Sequence, residues 1–170
     1  MTSRVVISRD NVDARVVALV QAYLDADYRW EQMGEWSYLR IGEAAPDIDA
    51  AFPEAACFGF LAAWNPQSTP RPDAQNRAAD EVLRLQLVES GVTCRPGFSS
   101  ACDRSWREPS WLATDMAPGP LDALAQRFGQ LGTLRWRRGE AVRLRIYARQ
   151  PDAVAEHPFI DWVPPTASLD

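Results

Sequence analysis

The feature that most constrains the fold is a short, almost wholly apolar run, CFGFLAAW, at residues 57–64. Asn65 and Pro66 follow it, and proline cannot continue the hydrogen-bonding of a strand. A run this short with apolar side chains at consecutive positions is typical of a strand that is buried on both faces. The sequence therefore predicts a strand in the middle of a sheet, with a turn where it ends.

Helical spacing of apolar residues occurs on both sides of this run. Residues 12–24 carry apolar side chains on one helical face, with Asp10 or Asn11 as the N-cap. A second helix of some 18 residues is expected from Asp73, as its N-cap, to Gly91. The other helical segments expected are a single turn at residues 47–52 and a helix at residues 118–128.

The remaining strands are read from aromatic and branched residues between turn signals. We expect strands at residues 36–41, 92–95 and 110–114, with a polar loop at residues 96–105. Residues 133–147 alternate apolar and arginine residues around Gly139, which predicts an antiparallel hairpin. For its apolar side chains to share one face, the hairpin loop must hold an odd number of residues.

This order of elements predicts one mixed α/β domain, of the mixed α+β type, with helices packed on a mixed sheet and a C-terminal antiparallel hairpin. The chain of 170 residues is long enough to bury a core without disulfides or metals. We expect residues 1–150 to form the domain. Residues 151–170 are expected to form a tail that docks in part through Phe159 and Trp162 and frays from Pro164 onward.

Composition limits the classes of function. The net charge of −5 makes nucleic acid and anionic membranes unlikely partners, because both attract basic proteins. The only early apolar run, residues 5–7, is too short for a secretory signal, and no membrane-length span follows. The three cysteines are widely spaced, so we expect idle thiols and a cytoplasmic protein without a metal or cofactor.

Residues 133–149 hold six arginines and one glutamate, a local excess of positive charge in an acidic chain. One interpretation is a solvent face or sheet edge that pairs with acidic helices and discourages aggregation. The other is a surface that binds anions or contacts the phosphates of nucleic acid. The four arginines that would form either face are Arg135, Arg137, Arg143 and Arg145.

Polar residues cluster at three points where an element is expected to end. Asn65 and Ser68 follow the buried strand, and Asn76 lies at the start of the next helix. A second cluster is Trp106, Glu108 and Ser110, whose side chains have the same parity along an extended chain. The third is Gln130, which follows the expected helix cap Gly129. Each cluster has an ordinary structural interpretation, as a turn, a salt-bridged carboxylate or a helix end.

Taken in order, the pattern Trp64-Asn-Pro-x-Ser68, Asn76, Trp106-x-Glu-x-Ser110 and Phe128-Gly-Gln130 resembles a bacterial family known as domain of unknown function 3293. The resemblance covers roughly residues 58–147. It implies a compact α/β domain and no established activity. It also implies that the six polar residues of the pattern form one set: Asn65, Ser68, Asn76, Glu108, Ser110 and Gln130.

Such a set predicts either a buried polar network that fixes loops to the sheet or a pocket for a small polar ligand with tryptophan walls. We expect a ligand-binding or accessory domain. The alternative is a small hydrolase or transferase with Glu108 as its acid or base. A serine or cysteine nucleophile lacks an adjacent base, because the only histidine, His157, lies in the tail.

Overall fold

A computed structural model of the protein describes residues 9–165. The expectations for the apolar run at residues 5–7 and for the end of the tail at residues 166–170 lie outside the described residues. Within them the helices are α1 (Arg9–Asp25), α2 (Pro46–Ala51), α3 (Asp73–Glu89) and α4 (Pro118–Arg127). The strands are β1 (Asp27–Gln32), β2 (Glu35–Leu39), β3 (Cys57–Leu61), β4 (Cys94–Ser100), β5 (Arg107–Thr114), β6 (Gly132–Arg137), β7 (Arg143–Ile146) and β8 (Ile160–Trp162).

The strands form one open sheet in the order β2-β1-β4-β5-β3-β6-β7-β8. Every neighbouring pair is antiparallel except β7 and β8, which run parallel. The apolar run at residues 57–64 supplies β3, which pairs with β5 on one side and β6 on the other. The predicted central strand is confirmed, and its burial on both faces follows from that position.

Helices cover both faces of the sheet. On one face α1 and α2 place Val20 and Ile48 in a core shared with Phe58 and Phe60. On the other face α3 and α4 pack a second core around Leu61, as successive side chains of β3 point in opposite directions. The predicted fold class, a mixed α+β single domain with helices packed on a mixed sheet, is confirmed. None of the helices within residues 9–165 is long and apolar enough to cross a membrane.

The C-terminal hairpin has the register that the arginine pattern requires. Leu134 pairs with Leu144, and continuing that register leaves an odd number of residues in the loop around Gly139, where φ is +75°. The residues after the hairpin return to the sheet, where Ile160 pairs with Leu144 and Trp162 with Ile146. The apolar face of the hairpin therefore belongs to the α1 side of the sheet.

The structure differs from the local predictions at four points. Helix α1 begins at Arg9, so Asp10 and Asn11, predicted as its N-cap, lie inside it. Strand β1 was not predicted, because the sequence DYRWEQ buries only Tyr28 and Trp30 among charged residues. Residues 96–100 belong to β4 and are not part of a loop. The N-cap of α3 is Pro72, and Asp73 is the first residue of the helix.

Candidate functional site

A cavity of about 310 Å³ lies between α1 and the sheet. Its apolar wall comes from α1 and from the sheet face below it: Leu19, Tyr23, Tyr28, Phe60, Leu134 and Leu144. Its polar lining comes from strand ends and turns: Asn65, Ser68, Ser99, Glu108, Ser110, Gln130 and Thr133. The lining residues Ala22, Ser68, Pro70 and Trp106 are exposed to solvent and so mark the mouth of the cavity.

The turn after β3 forms one side of this mouth and has an unusual backbone. Asn65, Gln67 and Ser68 all have positive φ, at 45°, 57° and 52°. Side chains other than glycine rarely adopt this conformation, and each such residue costs on the order of 1 kcal/mol or more. The surrounding structure must therefore hold the turn in place.

The turn after α4 provides part of that hold. Gln67 donates two hydrogen bonds to the carbonyl of Gly129, from its backbone nitrogen at 2.7 Å and from its side-chain nitrogen at 3.2 Å. Gly129 has a φ of +64°, and a Cβ there would lie 2.9 Å from Cβ of Pro66. The Asn-Pro-x-Ser and Phe-Gly-Gln segments of the sequence therefore interlock directly.

Asn76 holds the turn from behind. This side chain is 1% exposed, and its Oδ1 accepts from the backbone nitrogen of Asn65 at 2.9 Å and from Nε of Arg71 at 2.6 Å. Its Nδ2 donates to Oδ1 of Asn65 at 2.9 Å and to the carbonyl of Arg71 at 3.4 Å. With these bonds made, Asn76 is a support for Asn65, and it does not line the cavity.

Asn65 links Asn76 to Glu108 through hydrogen bonds of its side-chain amide. With its Oδ1 bonded to Asn76, the Asn65 amide turns its nitrogen toward Glu108 and donates to Oε1 at 2.8 Å. Burial raises the pKa of Glu108, and the hydrogen bond from Asn65 lowers it in part. Within residues 9–165, Glu108 has no salt bridge, and it is the one charged side chain that lines the cavity.

Tyr23 covers the same region from α1. Its pKa is raised to about 12, first by burial and then by the charge of Glu108, while hydrogen bonds with the Ser68 side chain and the Gly132 backbone oppose the shift. A Cβ on Gly132 would lie 2.8 Å from Cζ of this tyrosine, so the ring rests directly on the strand. Sequence reasoning did not include Tyr23 in the site. The sequence signal that could have included it is the four-residue spacing from Leu19, which places both side chains on one face of α1.

The other predicted residues also line the cavity. Nε2 of Gln130 donates to the carbonyls of Trp64 at 2.9 Å and Phe128 at 3.4 Å. The hydroxyl of Ser110 is buried and donates to the carbonyl of Glu108 at 3.3 Å. The structure therefore brings Asn65, Ser68, Trp106, Glu108, Ser110 and Gln130 to one cavity, with Asn76 behind it.

The arginine face of the hairpin lies elsewhere, on the α4 side of the sheet. Arg145 forms a bidentate ion pair with Asp122 of α4, at 2.6 and 2.7 Å, and Arg143 pairs with Asp161 of β8 at 2.7 Å. Arg137 is exposed, and the half-buried Arg135 has an Nε without a partner in the described part of the chain. Two of the four arginines thus pair with acidic groups, as the interpretation of a charged face expects.

The described residues give the cavity neither a metal-binding cluster nor a histidine. Among residues 9–165, no group of three or more histidine, cysteine, aspartate or glutamate side chains could hold a metal ion. Nδ1 of His157 accepts from the backbone nitrogen of Phe159 at 3.2 Å, and His157 does not line the cavity. The chemistry of the cavity therefore rests on amides, hydroxyls, aromatic rings and Glu108.

The fold and site together define a mixed α+β domain with a partly apolar cavity at the ends of its central strands. Residues 61–132 match the family described as Protein of unknown function (DUF3293). The resemblance seen in the sequence is confirmed over this segment, which spans less than half of the chain and contains all six polar residues of the pattern. No curated protein and no solved structure matches the chain.

Proposed function

We propose that the protein is a small-molecule-binding domain and that the cavity under α1 is its binding site. The observation that carries the proposal is a cavity of about 310 Å³ with apolar walls and several convergent polar groups. Pockets for small ligands commonly have volumes from roughly 300 Å³ upward and this mixture of lining groups. We also propose a cytoplasmic location, which the free thiols of Cys57, Cys94 and Cys102 support, because cytosolic proteins rarely carry disulfides.

Hydrogen-bonding capacity that the protein leaves unused supports a ligand site over a purely structural network. Asn76 is saturated, as expected of a structural residue. In contrast, Oε2 of Glu108 and Oε1 of Gln130 accept no hydrogen bond from residues 9–165, although both side chains line the cavity. Both oxygens are accessible from the cavity and are not among the buried atoms without a partner, so each can accept a hydrogen bond from a ligand.

The test is thermal stabilisation of the protein by a library of small fragments. Ala22→Phe fills the cavity mouth from α1 and should abolish stabilisation by fragments that bind there. Ala18→Phe is the matched control, because Ala18 is exposed on the same helix and does not line the cavity. Equal stabilisation of both variants, or no stabilising fragment for the unmodified protein, would refute the proposal.

A second candidate function is catalysis in the same cavity, by a hydrolase or transferase that uses Glu108 as acid or base. The raised pKa of Glu108 favours it, since a carboxyl that holds its proton closer to neutral pH is a better general acid. If a bound compound is converted, Glu108→Gln should abolish turnover while the thermal stability of the ligand-free protein persists. Turnover that survives this substitution excludes the catalytic role.

A further inference from the structure

The electrostatics of the cavity restrict its ligand. Among residues 9–165, Glu108 is the only charged side chain in the lining, and the one side-chain hydrogen bond it receives from them comes from a neutral amide, Asn65. The bonds of Asn65 Oδ1 to Asn76 and Arg71 fix the amide orientation, so Asn65 offers Glu108 its nitrogen and not its oxygen.

The neutral side chain of Gln130 has the same bias toward accepting hydrogen bonds. The amide nitrogen of Gln130 is used by the carbonyls of Trp64 and Phe128, which leaves its oxygen as the free group. The carboxylate Oε2 of Glu108 is a second free acceptor. An ammonium group has three donors and no acceptor, so it complements this arrangement, whereas a carboxylate ligand would meet Glu108 as a like charge.

The apolar lining fits the rest of such a ligand. Tyr23, Tyr28, Phe60 and Trp106 surround the cavity, and aromatic rings both bury apolar surface and attract organic cations. We propose, on the basis of the proposed binding function, that the ligand is a protonated amine on an apolar or aromatic body, with the ammonium group at Glu108. Neither a metal nor a second protein residue is needed to complete this site.

The experiment compares matched probes that differ only in the head group. 2-Phenylethylamine, 2-phenylethanol and phenylacetate, with the corresponding indole and cyclohexyl series, are titrated into the full-length protein by calorimetry. A charged hydrogen bond to Glu108 should make each binding amine about ten-fold or more tighter than its alcohol, and the acid weakest. Glu108→Gln should remove the amine preference, so that each amine binds no more tightly than its alcohol.

The pH dependence of binding provides a second readout that needs no variant. An amine requires the ionised carboxylate, so its affinity should fall about ten-fold per pH unit below the pKa of Glu108, while alcohol binding stays flat. If Glu108→Gln does not fold, the proposal is tested by comparing the pH dependence of amine and alcohol binding to the unmodified protein.

The outcomes separate the ligand class from the proposed function. If the amines bind no better than their alcohols, the proposal of a cationic ligand is overturned. It is also overturned if the fragments that bind include no amine and Ala22→Phe nevertheless abolishes their binding. In both cases the binding function stands. Absence of binding by every probe and every fragment overturns the two together.

Discussion

Replacing Asn76 by alanine tests the role of the hydrogen bonds behind the cavity. The substitution removes four bonds, to the backbone nitrogen and Oδ1 of Asn65 and to Nε and the carbonyl of Arg71. Asn76 is 1% exposed, so water cannot replace its side chain without entering the protein. The turn after β3 should then lose the support that keeps Asn65 at a φ of 45°.

The magnitude follows from the partners left behind. The two bonds to Asn65 are short and neutral, worth roughly 1 kcal/mol each, and the 2.6 Å bond from Arg71 is charge-assisted and worth roughly 1.5–3 kcal/mol. Asn65 and Arg71 are only half-buried, so water recovers part of this sum. We expect a loss of about 3 kcal/mol, which corresponds to a fall in Tm of about 6–12 °C for a chain of this length.

Urea unfolding and calorimetry measure the effect, with Gln75→Ala as the control. Gln75 is the preceding residue on α3, is exposed and makes no side-chain hydrogen bond in the described structure, so its replacement should change stability by less than about 0.5 kcal/mol. A loss below about 1 kcal/mol for Asn76→Ala would refute the assignment of Asn76 as the support of the turn.

Three further predictions follow from other contacts. Gly132→Ala places a Cβ 2.8 Å from the ring of Tyr23, so the free energy of unfolding in urea should fall by about 1–3 kcal/mol and fragments should no longer bind in the cavity. Gly119→Ala is the control, because a Cβ there meets no atom within 4 Å and should stabilise the helix by about 0.5 kcal/mol. The pKa of Glu108 is higher in the folded chain than its unfolded value near 4.5, so the unfolded chain binds fewer protons between these values. Stability should therefore fall as pH rises through that interval, and Glu108→Gln should remove this decline in urea titrations; an unchanged slope would contradict the pKa shift. Asp122→Asn breaks the largely buried ion pair with Arg145 of the hairpin and should lower the free energy of unfolding by about 2 kcal/mol in the same assay. An unchanged free energy of unfolding would show that the ion pair makes no net contribution to stability.

The parts of the fold that the sequence predicts are those determined by local pattern. The apolar run of β3 and the helical spacing of α3 each bury their residues in whatever fold contains them, so their type could be read directly. The continuation of β4 through residues 96–100 could not be read, since the expected strand ended at residue 95. Gly97 reads as a turn residue, yet it lies in mid-strand because a Cβ there would be 2.5 Å from the ring of Phe60. That requirement comes from a partner 37 positions away in the chain, and no local pattern carries it.

The same distinction applies to the candidate site. The polar members were grouped through their order and spacing in a family pattern, and the contact of Pro66 with Gly129 shows why these segments occur together. The α1 wall was not predicted, since Leu19 and Tyr23 read equally well as ordinary core positions on a helix. Which helix covers a strand end depends on the sheet order, and the sequence pattern leaves that order open.

The strand order has a consequence for how the chain is made. Strand β3 pairs only with β5 and β6, and β1 and β2 gain their third strand only with β4. Residues 62–106 separate β3 from β5, and ribosomes add roughly 5–20 residues per second. The most apolar strand therefore emerges seconds before either of its neighbours is made. During that interval both of its edges are open to other nascent chains and to chaperones. Translation speed over residues 62–106 should therefore influence how much newly made protein reaches the native state.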